Sequence, residues 1–184
     1  IGKAKDEGLD PEAALAAARS PRELQAAELY AAYARRLRNF NAVDFDDLIF
    51  LPERLFAAHA DVRSRWQQKL SYLLVDEYQD TNRPQYLLVK QLVSVHGNLC
   101  VVGDPDQSIY KWRGADLRNI LDFEQDFGEA KIVKLEQNYR STQTILDVAS
   151  AIIARNSERR PKRLFTTAGP GEDQRMHRRQ RNRL

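Results

Sequence analysis

Three short apolar runs each end abruptly in polar residues, and no other feature of the chain restricts its fold as much. Tyr72-Leu73-Leu74-Val75 runs into Asp76-Glu77, and Leu99-Cys100-Val101-Val102 into Gly103-Asp104. Lys131-Ile132-Val133-Lys134-Leu135 runs into Glu136-Gln137-Asn138. Helical patterns lie between them, at about 84–95 and 115–126. Continuous apolar strands that alternate with helices predict β-α-β units and a parallel sheet, an α/β class. In such sheets ligands bind outside the carboxyl ends of the strands, which is where these polar residues cluster.

Upstream of the first run, residues 1–43 read as helical. Asp10 is placed to cap a helix that has Pro11 at its first position. Ser20-Pro21-Arg22-Glu23 has the form of a capping box, and Leu24, Ala27, Tyr30 (or Ala31), Ala34 and Leu37 follow at helical spacing. Asn39 to Asn41 ends that helix. Asp44 predicts the cap of a third helix, which Pro52 is expected to kink or interrupt. A further helix runs to about Lys69. An acidic first turn explains Asp44, Asp46 and Asp47 more simply than a metal cluster does. Residues 142–154 predict one more helix. Cys100, inside an apolar strand, and Trp66, at helical spacing, are both expected in the core.

Composition narrows the class of protein. The 184 residues are 42% apolar and 30% charged, enough for a buried core and too apolar for wholesale disorder. No run approaches the roughly 18 apolar residues that a membrane-spanning helix needs. The opening Ile1-Gly2-Lys3-Ala4-Lys5 has no apolar stretch of the signal-peptide kind. A single cysteine allows no internal disulfide, which fits a reducing, cytoplasmic setting. His59, His96 and His177 have no metal-ligand spacing with Cys or acids. The net charge of +3 is unevenly spread. Residues 155–184 carry nine Arg and one Lys against three acids, so residues 1–154 sum to −4. The basicity therefore says nothing about whether the folded body binds nucleic acid. The last ten residues read as disordered.

The chemistry sits at the three run ends. Asp76 leaves an apolar strand, where a carboxylate can hold Mg²⁺ beside a nucleotide through water. The next carboxylate, Glu77, can polarise a water for attack on phosphorus. Gly103 permits close backbone approach. Gln107 can donate and accept, which suits bridging a phosphate and a water. Tyr110, Trp112 and Arg113 combine aromatic faces with a cation, a combination that stacks on single-stranded bases and holds phosphate. Arg140 follows the third run and can reach phosphate oxygens.

Val75-Asp76-Glu77-Tyr78-Gln79-Asp80-Thr81-Asn82, the segment from Gly103 to Ala115 and the segment Leu135 to Ser141 resemble motifs II, III and IV of the UvrD/PcrA/Rep family of superfamily 1 DNA helicases. Their order and spacing resemble the family's as well, and weaker likeness extends from about Ile1 to Phe165. The resemblance implies a partial RecA-like P-loop NTPase domain, a parallel sheet with flanking helices, preceded by a helical subdomain. Residues 1–43 would end the inserted helical subdomain and 44–141 would form the second half of the first RecA-like domain. Residues 142–168 would begin the second, and 169–184 would be a disordered basic tail. It also implies ATP and Mg²⁺ as cofactors. Asp76 would hold Mg²⁺, Glu77 would activate water, Gln107 would sense the γ-phosphate and Arg140 would act as an arginine finger. Tyr110, Trp112 and Arg113 would contact single-stranded DNA. The implied activity is ATP-driven 3′-to-5′ translocation and unwinding at duplex junctions, in repair or replication, in a bacterial-type cytoplasm.

One element of that pattern is absent from these residues. No G-x-x-x-x-G-K-[ST] phosphate loop occurs, and Gly2-Lys3 precedes helices rather than following a strand. The expectation is an internal segment that needs the remainder of its parent chain and does not hydrolyse ATP alone. Two alternatives stay open. One is the helicase part of a RecB/AddA-like helicase-nuclease, and the other is a non-catalytic DNA-binding remnant.

Overall fold

The structure is a computed structural model, and it describes residues 1–128, 130–156 and 161–171. It divides into two compact units, Ile1–Ala130 and Lys131–Leu184. The first unit opens with helices α1 (Gly2–Asp6), α2 (Pro11–Ala17) and α3 (Pro21–Asn39). Asp10 accepts from the Ala13 N–H at 2.7 Å and Pro11 takes the first position, as the sequence predicts. Ser20 accepts from the Glu23 N–H at 3.3 Å, but the Glu23 carboxylate returns to the Arg19 N–H rather than to Ser20. Only half of the expected capping box forms. Ala27 and Tyr30 make the buried face of α3, and the Tyr30 hydroxyl donates to the Leu9 carbonyl at 3.2 Å.

Helices α4 (Asp47–Ala58) and α5 (Ala60–Lys69) follow. Asp44 accepts from the Asp47 N–H at 3.0 Å, and Asp47 accepts in return from the Asp44 N–H at 3.2 Å. The acids thus form a reciprocal turn that starts α4, with Lys5 from α1 seated on it. Its Nζ lies 2.7 Å from both carboxylates and is almost fully buried. The expected interruption at Pro52 does not occur, and α4 runs through it. Proline removes one N–H. The carbonyl left over belongs to exposed Leu48, where water can satisfy it. Trp66 is not a core residue as expected: it leans on Phe56 at 6.4 Å and is half exposed.

The sheet has two parallel strands, β1 (Leu73–Val75) and β2 (Leu99–Val101), joined by α6 (Arg83–Val93). The register pairs Leu73 with Leu99, Leu74 with Cys100 and Val75 with Val101. This is a β-α-β unit, whose parallel pairing requires a crossover of this kind. A full capping box starts α6: Asn82 accepts from Gln85 N–H while Gln85 accepts from Asn82 N–H. The α6 side chains Tyr86, Val89 and Val93 are buried, and α6 packs against α4 and α5.

Two expectations about the sheet are corrected. The strands are not buried on both faces. Leu74 is 75% exposed, and its partner Cys100 is exposed rather than packed in a core. Alternation of side chains sends these two to a face that no described residue covers. The third run, Lys131–Leu135, is not a strand. Among the described residues nothing pairs with it, and a strand without a neighbour leaves its N–H and C=O groups unmatched. The pattern predicted over 115–126 is two short helices, α7 (Arg118–Leu121) and α8 (Phe123–Asp126).

In the second unit, α9 (Gln143–Ile153) matches the predicted helix. Its first turn donates to the carbonyls of Gly169 and Pro170 at 3.0 and 3.1 Å. Residues 169–171, expected to start a disordered tail, are therefore tied down. The rest of that tail, 172–184, lies outside the described residues. No helix among the described residues is long and apolar enough to cross a membrane.

Candidate functional site

Both strands of the first unit deliver a polar turn at their carboxyl ends, and hydrogen bonds join the two turns. The Val102 N–H donates to Val75 at 2.8 Å, and the Tyr78 N–H donates to Val102 at 3.0 Å. The ladder thus continues past the strands and sets the turns side by side. Glu77 adopts a left-handed backbone with φ of 50°. That conformation costs a non-glycine residue on the order of 1 kcal/mol and is held only where its surroundings over-determine it. Here Asp76 Oδ1 accepts from the Glu77 N–H at 2.9 Å, and a 3₁₀ turn, Tyr78–Asp80, follows at once. Tyr78 is completely buried, edge-on to Phe123 at 5.6 Å. Burial raises its hydroxyl pKa above the ordinary tyrosine value. This ring anchors the turn, so the preceding acids stay at the surface.

Gln79 connects the turns. It is 1% exposed, and its amide nitrogen donates to Glu77 Oε2 at 2.8 Å. Its carbonyl oxygen accepts from the Asp104 N–H at 2.9 Å. Gly103 makes this possible, because a Cβ there would lie 2.6 Å from that same oxygen. In the second turn Asp104 accepts from the Asp106 N–H at 3.0 Å and from the Gln107 amide at 2.7 Å. Asp76, Glu77 and Gln107 are all exposed at this end of the sheet.

The aromatic segment is fixed from the same turn. The Thr81 carbonyl accepts from the Asp116 N–H and from the buried Asn119 amide, both at 3.0 Å. Asn82 and Ala115 form an antiparallel bridge. Gly114, with φ of 80°, comes close enough to α1 that a Cβ would lie 2.6 Å from that of Asp6. The preceding residues project outward. Trp112 is 78% exposed, Tyr110 lies 6.4 Å from it, and the Arg113 guanidinium sits over its ring at 5.7 Å. An exposed ring pair with a cation over it presents a π-face and a positive charge together.

Arg140 lies in the second unit and is exposed. Its backbone is set by Asn138, whose side-chain oxygen accepts from the N–H groups of Arg140 and Ser141 at 2.9 and 2.7 Å. A parallel bridge between Gln137 and Phe165 holds the segment that leads into this turn.

Among the described residues no three His, Cys, Asp or Glu side chains form a metal cage. Asp76 spends one carboxylate oxygen on a backbone N–H, which leaves the other for a cation. A single carboxylate at a surface turn fits Mg²⁺, which keeps its waters and shares phosphate oxygens rather than entering an all-protein site.

Sequence reasoning singled out the ends of this network and missed its connectors. Gln79, Thr81 and Asn119 drew no role. Their partners lie 25 to 38 residues away in the chain, beyond any local pattern. A glutamine two residues after an acid pair, with a glycine past the next strand, was the available signal.

Comparison with known proteins agrees on one family. Residues 1–128 match the UvrD/REP helicase N-terminal domain. The chain is 52% identical over 172 residues to a Leuconostoc citreum protein named ATP-dependent DNA helicase PcrA. It is 56% identical over 146 residues to a protein of that name from Staphylococcus aureus (strain Mu50 / ATCC 700699). A third, from Bacillus subtilis (strain 168), is 48% identical over 171 residues. These alignments take in 94%, 79% and 93% of this chain but only 23%, 20% and 23% of the relatives.

Proposed function

This chain belongs to the UvrD/REP helicase N-terminal domain family, and from that premise we propose that it is a segment of an ATP-dependent DNA helicase. The full activity would be 3′-to-5′ translocation on single-stranded DNA coupled to duplex unwinding. The segments around Asp76, Gly103 and Asn138 are then its motifs II, III and IV, on a partial RecA-like domain. The observation that carries this reading is the union of two strand-end turns. An acid pair leaves β1, a glutamine-bearing turn leaves β2, and Gln79 bonds one to the other.

The roles follow from the chemistry of each group. Asp76 would hold Mg²⁺, which would supply neutralisation of phosphate charge when bound. Glu77 takes the proton from the attacking water, a contribution of roughly 10²–10⁴-fold for a well-placed general base. Gln107 donates to Asp104; it would report on a phosphate and pass that state into the turn that leads to Trp112. Arg140 would supply a guanidinium to phosphate oxygens. Tyr110, Trp112 and Arg113 hold single-stranded DNA by stacking and charge. The relatives named above support the helicase reading over the helicase-nuclease alternative.

Strand displacement by the complete gene product that carries this chain tests the proposal. Partial duplexes with a 3′ or a 5′ single-stranded tail are offered with Mg²⁺ and ATP. ATP-dependent displacement of the 3′-tailed duplex is expected. Displacement of the 5′-tailed duplex alone, or none with either, would contradict it. The 184-residue chain by itself, which holds no phosphate loop, is expected to show no turnover.

A further inference from the structure

We propose that Gln79 is a positioning residue, which aims the Glu77 carboxylate and locks it to the backbone of the second strand-end turn. The inference rests on the reading of Glu77 as the group that activates water. Three observations carry it. The Gln79 side chain is buried between the turns and bonds both: the amide nitrogen donates to Glu77 Oε2 at 2.8 Å and to Asp80 Oδ2 at 3.3 Å, and the amide oxygen accepts from the Asp104 N–H at 2.9 Å. Its orientation is chemically forced. With the amide reversed, an oxygen would face a carboxylate and an N–H would face an N–H. Finally, Gly103 leaves the space that Gln79 Oε1 occupies.

The choice of residue follows from what the position must do. It needs a donor at one end and an acceptor at the other, without a full charge. Lysine or arginine would offer no acceptor, and a cation beside Glu77 would make it a weaker base. Glutamate would accept at both ends and repel Glu77. Methionine would fill the space and do neither. Glutamine alone among side chains of this length satisfies both partners. Because Asp104 also accepts from the Gln107 amide at 2.7 Å, a shift of the second turn reaches the Glu77 carboxylate through one side chain. Gln79 therefore ties the position of the proton acceptor to the state of the turn that bears Gln107.

The test is steady-state ATP turnover by the complete gene product, unaltered and with Gln79→Glu or Gln79→Met, from pH 6 to pH 9. Melting temperature and KM for ATP are measured beside kcat. Gln79→Glu keeps the acceptor for Asp104 and loses the donor to Glu77. While ionised, its carboxylate repels both Glu77 and Asp80, which face the same end of the side chain. When protonated, it donates again. The expected result is a kcat lowered by roughly tenfold to a hundredfold at pH 9, the size of effect a displaced reacting group gives, and recovering as pH falls. Gln79→Met should lower kcat without any recovery, with KM for ATP within about twofold of the unaltered protein. A merely structural role would lower melting temperature and turnover alike, at every pH, and that outcome would overturn the inference. So would a Gln79→Glu profile parallel to that of the unaltered protein. If Gln79→Glu does not fold, Gly103→Ala tests the same point by crowding Gln79 Oε1 without changing a polar group. Undiminished kcat in that variant would overturn the inference. Absence of turnover in the unaltered protein would instead overturn the reading of Glu77 on which it rests.

Discussion

The runs Leu73–Val75 and Lys131–Leu135 have the same appearance in sequence, and only the first is a strand. Leu73–Val75 finds a parallel neighbour in Leu99–Val101, and the bonding continues beyond both into the turns that follow. The third run has no such neighbour among the described residues, and Leu135 is 76% exposed. Yet the turn after each run forms. Asp76 accepts from the Glu77 N–H, and Asn138 accepts from Arg140 and Ser141. An apolar run shows what a segment is able to become, and a partner decides whether it does. The polar turn needs only its own side chain and the next few N–H groups, so it forms either way.

Substitutions can widen or erase this difference. The largest effect on stability is expected at Lys5, which ties α1 to α4 in the unit that holds the paired strands. Lys5→Met leaves Asp44 and Asp47 facing each other without their cation, and removing one partner of a buried pair costs roughly 3–5 kcal/mol. Urea denaturation of the chain would measure it.

The same cluster predicts a pH dependence. Burial pushes the Asp44 carboxyl up, but bonds from Lys5, the Asp47 N–H and Tyr33 outweigh it and hold the pKa below the ordinary 3.8. Its stabilisation is therefore complete above pH 3.8 and is lost as pH falls through the lower folded value. Burial pulls Lys5 down, but its two carboxylate partners prevail and raise it above 10.5. That contribution is complete below pH 10.5 and fades as pH rises through the folded value. Lys5→Met should flatten both limbs of the stability curve.

A middle-sized effect is expected at Gly103. Its missing Cβ admits Gln79 Oε1, with the Ile120 side chain and the Tyr78 backbone close behind. Gly103→Ala should cost about 1–3 kcal/mol through overpacking, again read by denaturation. The smallest effects separate the two runs themselves. Val75→Thr in the paired strand should cost about 1 kcal/mol, whereas Val133→Thr in the exposed run should stay within about 0.5 kcal/mol of zero. Amide exchange should divide them too, slow at Leu73 and Val102, whose N–H groups donate to the carbonyls of Asn98 and Val75, and fast at 132–135. Equal protection would erase the comparison.

The local parts of the fold were legible. Asp10 with Pro11, Ser20 with Pro21 and the period of residues 142–154 each announce a helix through contacts within one turn. What depended on distant partners was not. Cys100 and Trp66 read as core residues because apolar runs and spacing say nothing about which layer covers a face. Pro52 read as a break because sequence does not show that the carbonyl it orphans belongs to an exposed residue. In the candidate site, sequence singled out Asp76, Glu77, Gln107 and Trp112 as end groups, and the structure leaves all four exposed. The connectors Gln79, Thr81 and Asn119 were not legible, since each is defined by a residue from a different segment.

The central claim is that the acid pair at the end of β1 acts on a nucleotide through Glu77. The most direct test compares Mg²⁺-dependent ATP hydrolysis by the complete gene product with that of its Glu77→Gln variant, each with and without single-stranded DNA. The account predicts DNA-stimulated turnover that falls by roughly 10²–10⁴-fold in the variant while ATP binding persists. Turnover undiminished by Glu77→Gln would contradict it.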